Sequence, residues 1–238
     1  MSDPQIEGAG APGTVDGHPV LRGSDLADVP LAWPVTSTRV LAEGHVATFA
    51  EDEVRTPDGG TMHREYLRHP GAVGIIALDD AARAVLVRQY RHPVRHRLTE
   101  PPAGLLDHAG EDPLVAAQRE LAEEVGLAAG RWDVLVDLFS TPGIISEGIR
   151  VFLARDLSPA ARPDGFTAEG EEADMDTVWA SLDDLLAAVL DGRLHNPTLV
   201  TGVLAAGVAR RDGYASLRPG DAPWPARASL AEAGLLPG

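Results

Sequence analysis

The sequence predicts an α/β protein: a small antiparallel sheet near the N-terminus, then a larger domain mixing buried strands with amphipathic helices. Three observations carry this prediction. From residue 35 to residue 70 apolar and polar residues alternate on both sides of "PDGG", the pattern of two half-covered strands joined by a turn. The runs "GAVGIIALDD" and "RAVLVRQYR" follow, and their Val and Ile content favours strand over helix. Apolar residues then recur at helical spacing in "DPLVAAQRELAEEVG", "SLDDLLAAVLDG" and "NPTLVTGVLAAGVARRDG", as amphipathic helices require.

The elements divide the chain as follows. Residues 1–30 are rich in Gly, Pro and Asp with little periodicity and read as a flexible segment. Residues 31–68 form the N-terminal β domain, and 69–210 the main domain. In the latter, "DVLVDLFSTP" and "IRVFLARDL" are strands flanking "GIISEG", and "DMDTVWASL" is another. The first helix is bounded by its own sequence: Asp112 is a cap, Pro113 fits the first helical position and Gly126 is a stop, giving a helix over 113–125. In "SLDDLLAAVLDG" a serine cap and a glycine stop bound a second helix. The last segment, 211–238, includes "RPGDAPWPARASLAEAGLLPG", whose Pro and Gly content predicts a poorly ordered tail. The sequence contains no internal repeats.

Composition excludes several kinds of chemistry. With 238 residues, 44% of them hydrophobic, the chain can bury one good core. Cysteine is absent, which removes disulfides, thiolate catalysis and Cys-based zinc sites and leaves carboxylates and His as side-chain metal ligands. Such ligands favour a hard cation such as Mg²⁺ or Mn²⁺. All 20 basic side chains are Arg, so no lysine Schiff base can form. A formal charge of −16 argues against nucleic acid as a partner, and an anionic substrate would need local cations. No run of about 18 apolar residues occurs, and "MSDPQIEGAGAPGTVDGHPV" lacks the basic start and apolar core of a secretory signal. A cytoplasmic protein without membrane partners is expected.

The helix over 113–125 carries the chemistry. Leu114, Ala117, Leu121 and Val125 form a core-facing stripe, and Glu120, Glu123 and Glu124 fall together in an adjoining arc. Like charges three or four residues apart repel by a few tenths of a kcal/mol. Something positive is therefore expected above them.

These residues belong to a longer pattern. From Gly104 through Glu111, Arg119, Glu120, Glu123, Glu124 and Gly126 to Leu127, the sequence closely resembles the signature of the Nudix hydrolases. Six residues, "LLDHAG", separate Gly104 from Glu111 where the signature has five; the extra residue lies in a loop before the helix cap, where insertion costs little. The resemblance implies an α/β/α sandwich and two or more Mg²⁺ (or Mn²⁺) ions that neutralise a diphosphate against attack by water. It further implies that Glu120 and Glu124 are the principal ligands and that Glu123 is a ligand to a metal or to a bridging water. The carbonyl of Ala103 is implied as another ligand. Arg119 would orient a carboxylate by charge-assisted hydrogen bonds, and Glu111 would be structural.

The flanks narrow the resemblance. "HREYLRHPGAV", "VRQYRH" and "LTEPPAGLLD" look like the ADP-ribose pyrophosphatase branch, over about residues 38–205. That likeness implies hydrolysis of ADP-ribose to AMP and ribose 5-phosphate, and a homodimer in which the N-terminal sheet exchanges between subunits. It assigns Arg64 and Arg91 to the substrate, a role that suits guanidinium because it meets phosphate oxygens in bidentate fashion. The water-activating base is expected on a loop beyond the signature: Glu172 in "AEGEEADM", with Glu147 in "PGIISEG" as fallback or as a substrate or metal contact. Other readings are hydrolysis of a different nucleotide sugar or dinucleotide, or a catalytically silent nucleotide sensor. None of His63, His69, His92, His96 and His108 forms an i, i+4 pair on an expected helix, and they read as polar strand or loop residues. Tyr66 and Tyr90 read as packing residues rather than stacking platforms.

Overall fold

The computed structural model describes residues 14–16, 18–161 and 175–236. The chain divides into two units, 1–32 and 33–238. In the first, β1 (Thr14–Val15) pairs antiparallel with β2 (His18–Pro19), followed by a single 3-10 turn at Gly23–Asp25.

The second unit opens with a three-stranded antiparallel sheet of β3 (Val35–Glu43), β4 (Thr48–Arg55) and β5 (Thr61–Arg68). The "PDGG" turn between β4 and β5 closes through Gly59 N–H to Thr56 O, with Gly59 at φ 86°, a backbone conformation that favours glycine. The rest comprises β6 (Ala72–Ala77), β7 (Arg83–Arg91), β8 (His96–Glu100), β9 (Ala103–Leu105), α1 (Pro113–Val125), β10 (Leu127–Phe139), β11 (Gly148–Pro159), β12 (Asp176–Ser181), α2 (Leu182–Leu190), α3 (Pro197–Ala209), β13 (Arg218–Pro219) and α4 (Pro225–Glu232). One sheet has the order β13-β10-β11-β6-β9, with β6 and β11 parallel; a second has the order β12-β7-β8.

Strand alternation makes the sandwich. Val73, Ile75 and Ala77 of β6 pack with Phe152 and Ala154 under Ala116, Ala117 and Leu121 of α1. Ile76, on the opposite face, packs with Val151 and Leu153 against α2 and α3 through Leu182, Leu199 and Val203. Each fully buried large aliphatic side chain contributes about 1.5–3 kcal/mol, so both sheet faces are covered. Gly74 lets α3 sit close: a Cβ there would lie 2.2 Å from Thr198 Cγ2.

Several elements differ from expectation. β8 is short and polar and β9 is only Ala-Gly-Leu, so neither carries an apolar alternation, and only pairing with β7 and β6 makes them strands. The adjacent runs β6 and β7 share a single bridge, Leu78 to Ala84, and diverge into different sheets. The poorly ordered tail is also corrected. Through residue 236 the C-terminal segment is built onto the domain: β13 pairs with β10, and the buried Arg150 donates to the carbonyls of Ala222 (2.6 Å) and Pro223 (3.0 Å). Those carbonyls satisfy an internal cation that the composition of the tail does not reveal.

Candidate active site

Local rules place α1 where the sequence puts it. Asp112 accepts a hydrogen bond from Leu114 N–H at 2.8 Å, Pro113 opens the helix, and Gly126 closes it at φ 66°. The buried face is Ala116, Ala117, Leu121 and also Glu124, which is only 9% exposed.

The acidic side chains converge on one cation. Arg119 Nε and Nη2 donate to the two oxygens of Glu111, both at 3.1 Å, while Nη1 donates to Glu120 at 2.7 Å and to Glu123 at 3.1 Å. The guanidinium holds the Glu111 carboxyl below its ordinary range and is itself stabilised in the charged form. Burial pushes the Glu120 carboxyl up, with Arg119 opposing. The six-residue segment before Glu111 ends in a turn, Glu111 N–H to His108 O at 3.1 Å, with Gly110 at φ 75°, and the Glu111 to Arg119 pairing is formed.

Two backbone positions on β9 complete this wall. Ala103 N–H donates to Glu124 Oε2 at 3.0 Å. Gly104 lies beneath Glu120 so closely that a Cβ would fall 2.1 Å from its carboxyl carbon. Four carboxylates (Glu111, Glu120, Glu123, Glu124) against one guanidinium leave an excess of negative charge in a half-buried site. Oxygen donors of this kind fit a hard divalent cation. Among the described residues no three acidic or imidazole side chains are already grouped as a metal ion would need: Glu120 and Glu123 turn onto Arg119, and Glu124 onto Ala103.

Ala103, Arg119, Glu120 and Glu124 form one side of a cleft of about 800 Å³, with Arg91, Gln89 and Glu100 also lining it. Glu147 and His69 lie in it too, Oε1 to Nδ1 at 3.4 Å. His69 is 8% exposed and accepts from Gly71 N–H through Nδ1 at 3.1 Å; burial pushes its pKa down, with Glu147 opposing. Arg64 lies elsewhere, in a separate cavity of about 510 Å³ with Tyr66, Phe139 and Ile144. Tyr90 is surface-exposed, edge-on to His92. Glu172 lies outside the described residues. Sequence reasoning missed Glu100, Gln89 and His69 as cleft residues. The available signal for Glu100 was a charged residue directly before "PPAG", at the end of a strand whose partner carries Gln89 and Arg91.

The NUDIX domain model matches residues 68–199, which hold every described member of this acidic wall. An ADP-ribose pyrophosphatase from Mycobacterium tuberculosis (strain ATCC 25618 / H37Rv) is 45% identical over 188 residues, 79% of this chain and 89% of that protein. A methanol dehydrogenase activator from Bacillus methanolicus is 35% identical over 166 residues, 70% of this chain and 88% of the relative. Among solved structures, an ADP compounds hydrolase superposes with a TM-score of 0.65 at 22% identity, over 79% of this chain and 99% of its own, a likeness of fold. Similarity on this scale, together with a signature helix whose Glu120 and Glu124 line a common cleft, makes the chain a member of the Nudix family.

Proposed function

We propose that this Nudix pyrophosphohydrolase cleaves the diphosphate of ADP-ribose, giving AMP and ribose 5-phosphate. The carrying observation is the single cleft in which Ala103, Glu120 and Glu124 share space with Arg91; the substrate follows from the relative that shares 45% of its residues over most of both chains.

Glu120, Glu124 and the carbonyl of Ala103 would hold two or more Mg²⁺ (or Mn²⁺) ions, with Glu123 holding a further ion or its water. When bound, such ions neutralise diphosphate oxygens and acidify coordinated water. The chain's own residues do the remainder. Arg119, fixed by Glu111, orients the Glu120 and Glu123 carboxylates. Arg91 meets the diphosphate, supplying local positive charge in a cleft rich in carboxylates. Glu172 accepts the proton of the attacking water, and Glu147, beside His69 in the cleft, contacts substrate or metal.

A homodimer through the N-terminal sheet fits β3, which is exposed along most of its length with Val35 and Val40 uncovered. Arg64 would then act across that interface. No helix among the described residues is long and apolar enough to cross a membrane, and a cytoplasmic site of action is proposed.

The test is incubation with Mg²⁺ and a panel of ADP-ribose, other nucleotide sugars and dinucleotides, with and without chelator. AMP and ribose 5-phosphate from ADP-ribose are expected, and chelation should abolish them. Binding of ADP-ribose without cleavage would favour the sensor reading, and preferred cleavage of another diphosphate would reassign the substrate.

A further inference from the structure

Glu100 lines the cleft and yet is only 2% exposed. A buried carboxylate is tolerable only when paired and hydrogen-bonded, and Glu100 is both. Arg91 Nε reaches Oε1 at 3.0 Å, Arg91 Nη2 reaches Oε2 at 2.7 Å, and Gln89 Nε2 donates to Oε2 at 3.1 Å. The β7/β8 register sets this up: Val87 faces Glu100, Gln89 faces Leu98 and Arg91 faces His96, so Gln89, Arg91 and Glu100 share one face of the antiparallel pair.

The pair is asymmetric. The acid is buried, while the Arg91 side chain is 42% exposed where it lines the cleft. Pinning Nε and Nη2 fixes the plane of the guanidinium. An arginine left loose in a cleft that also holds Glu120 and Glu124 could swing toward those carboxylates, the very groups assigned to metal.

We propose that Glu100, backed by Gln89, is a positioning residue that holds the Arg91 guanidinium in the cleft wall, ready for the diphosphate of the substrate. The inference rests on the function proposed above, because it takes Arg91 to be a substrate contact. A reacting group misplaced by about 1 Å can cost about 100-fold in rate, and that sets the expected size of the effect.

The experiment is a double-mutant cycle of Glu100→Gln with Arg91→Ala, read as kcat/KM for ADP-ribose and as the Kd of its non-hydrolysable α,β-methylene analogue. Glu100→Gln should lower kcat/KM by about 10- to 100-fold and weaken the analogue, with unchanged circular dichroism. In the Arg91→Ala background it should change neither quantity further. Should Glu100→Gln not fold, Gln89→Leu takes its place, with a smaller loss that likewise vanishes without Arg91. Wild-type-like behaviour of the folded variants, or a loss undiminished in the Arg91→Ala background, would overturn the assignment. If wild-type protein does not cleave ADP-ribose, the functional reading fails, and the Kd cycle still decides the role of Glu100.

Discussion

Arg119 grips Glu111, eight residues earlier, with Nε and Nη2 each 3.1 Å from a carboxylate oxygen. This bidentate pair ties the loop before α1 to the helix, and the remaining nitrogen, Nη1, stays on Glu120 and Glu123. Loop, helix and two of the assigned metal carboxylates therefore share one cation. A lysine carries a single ammonium and cannot reproduce the fork. Arg119→Lys is expected to lower kcat by about 10- to 100-fold, the usual cost of losing a residue that orients metal ligands. Steady-state kinetics over a range of Mg²⁺ concentrations would check this, and an unaltered kcat would remove Arg119 from the machinery.

Gly104 makes a sharper test, because its role is spatial. An added Cβ would lie 2.1 Å from the Cδ and Oε1 of Glu120, well inside van der Waals contact. Glu120 is the far end of a flexible side chain, so the carboxylate can swing aside while β9 stays paired. Gly104→Ala should thus leave a folded protein with Tm changed by a few degrees (~1 kcal/mol) and weaker metal binding. Titration with Mn²⁺ would register the displacement; native affinity would show that Glu120 does not bind metal from above Gly104.

What was legible in the sequence was local. Asp112, Pro113 and Gly126 bound α1 by rules acting within one turn, and the signature glutamates follow at fixed offsets along the same helix. The sandwich was legible because alternate residues of β6 are apolar on both faces. The burial of Glu124 was not, since it depends on Ala103 approaching from β9, 21 residues away. His69 was hidden for the same reason: it is a loop histidine until Ser146, 77 residues later, accepts its backbone N–H and Glu147 faces its ring. Arg64, assigned by resemblance, lies on β5 beside an apolar cavity rather than in the cleft with Glu120.

The buried imbalance at His69 gives a pH signature. Burial lowers its folded-state pKa, so between that value and the ordinary His pKa of about 6.5 the unfolded chain binds more protons than the native one. Stability then rises with pH across the window: its contribution is full above about pH 6.5 and is lost as pH falls below it. Urea denaturation at pH 7.5 and pH 5.5 should show wild type losing more stability on acidification than His69→Asn. Equal losses in the two proteins would mean that His69 is not held neutral by its surroundings.

Arg150 anchors the C-terminal segment to the core. It is only 3% exposed, donates to Asp137 through Nε (2.7 Å) and Nη2 (3.0 Å), and reaches the Ala222 and Pro223 carbonyls. Its guanidinium carbon also lies 4.8 Å from the centre of the Trp224 ring. From the same segment, Arg227 donates to Pro70 O at 2.6 Å, and Leu230 packs near Gly148, one residue from Glu147 of the cleft. The segment thus braces the start of β11 where the cleft loop ends. Removing one partner of a buried charge network costs about 3–5 kcal/mol, although Arg218, 2.9 Å from Asp137, retains a counter-charge and brings the expectation to the low end. Arg150→Ala should therefore cost about 3 kcal/mol and expose residues 220–236 to hydrogen exchange and proteolysis before the rest of the domain. If the segment stays protected in the variant, β13 and α4 are held by their own apolar contacts, and the brace does not depend on Arg150.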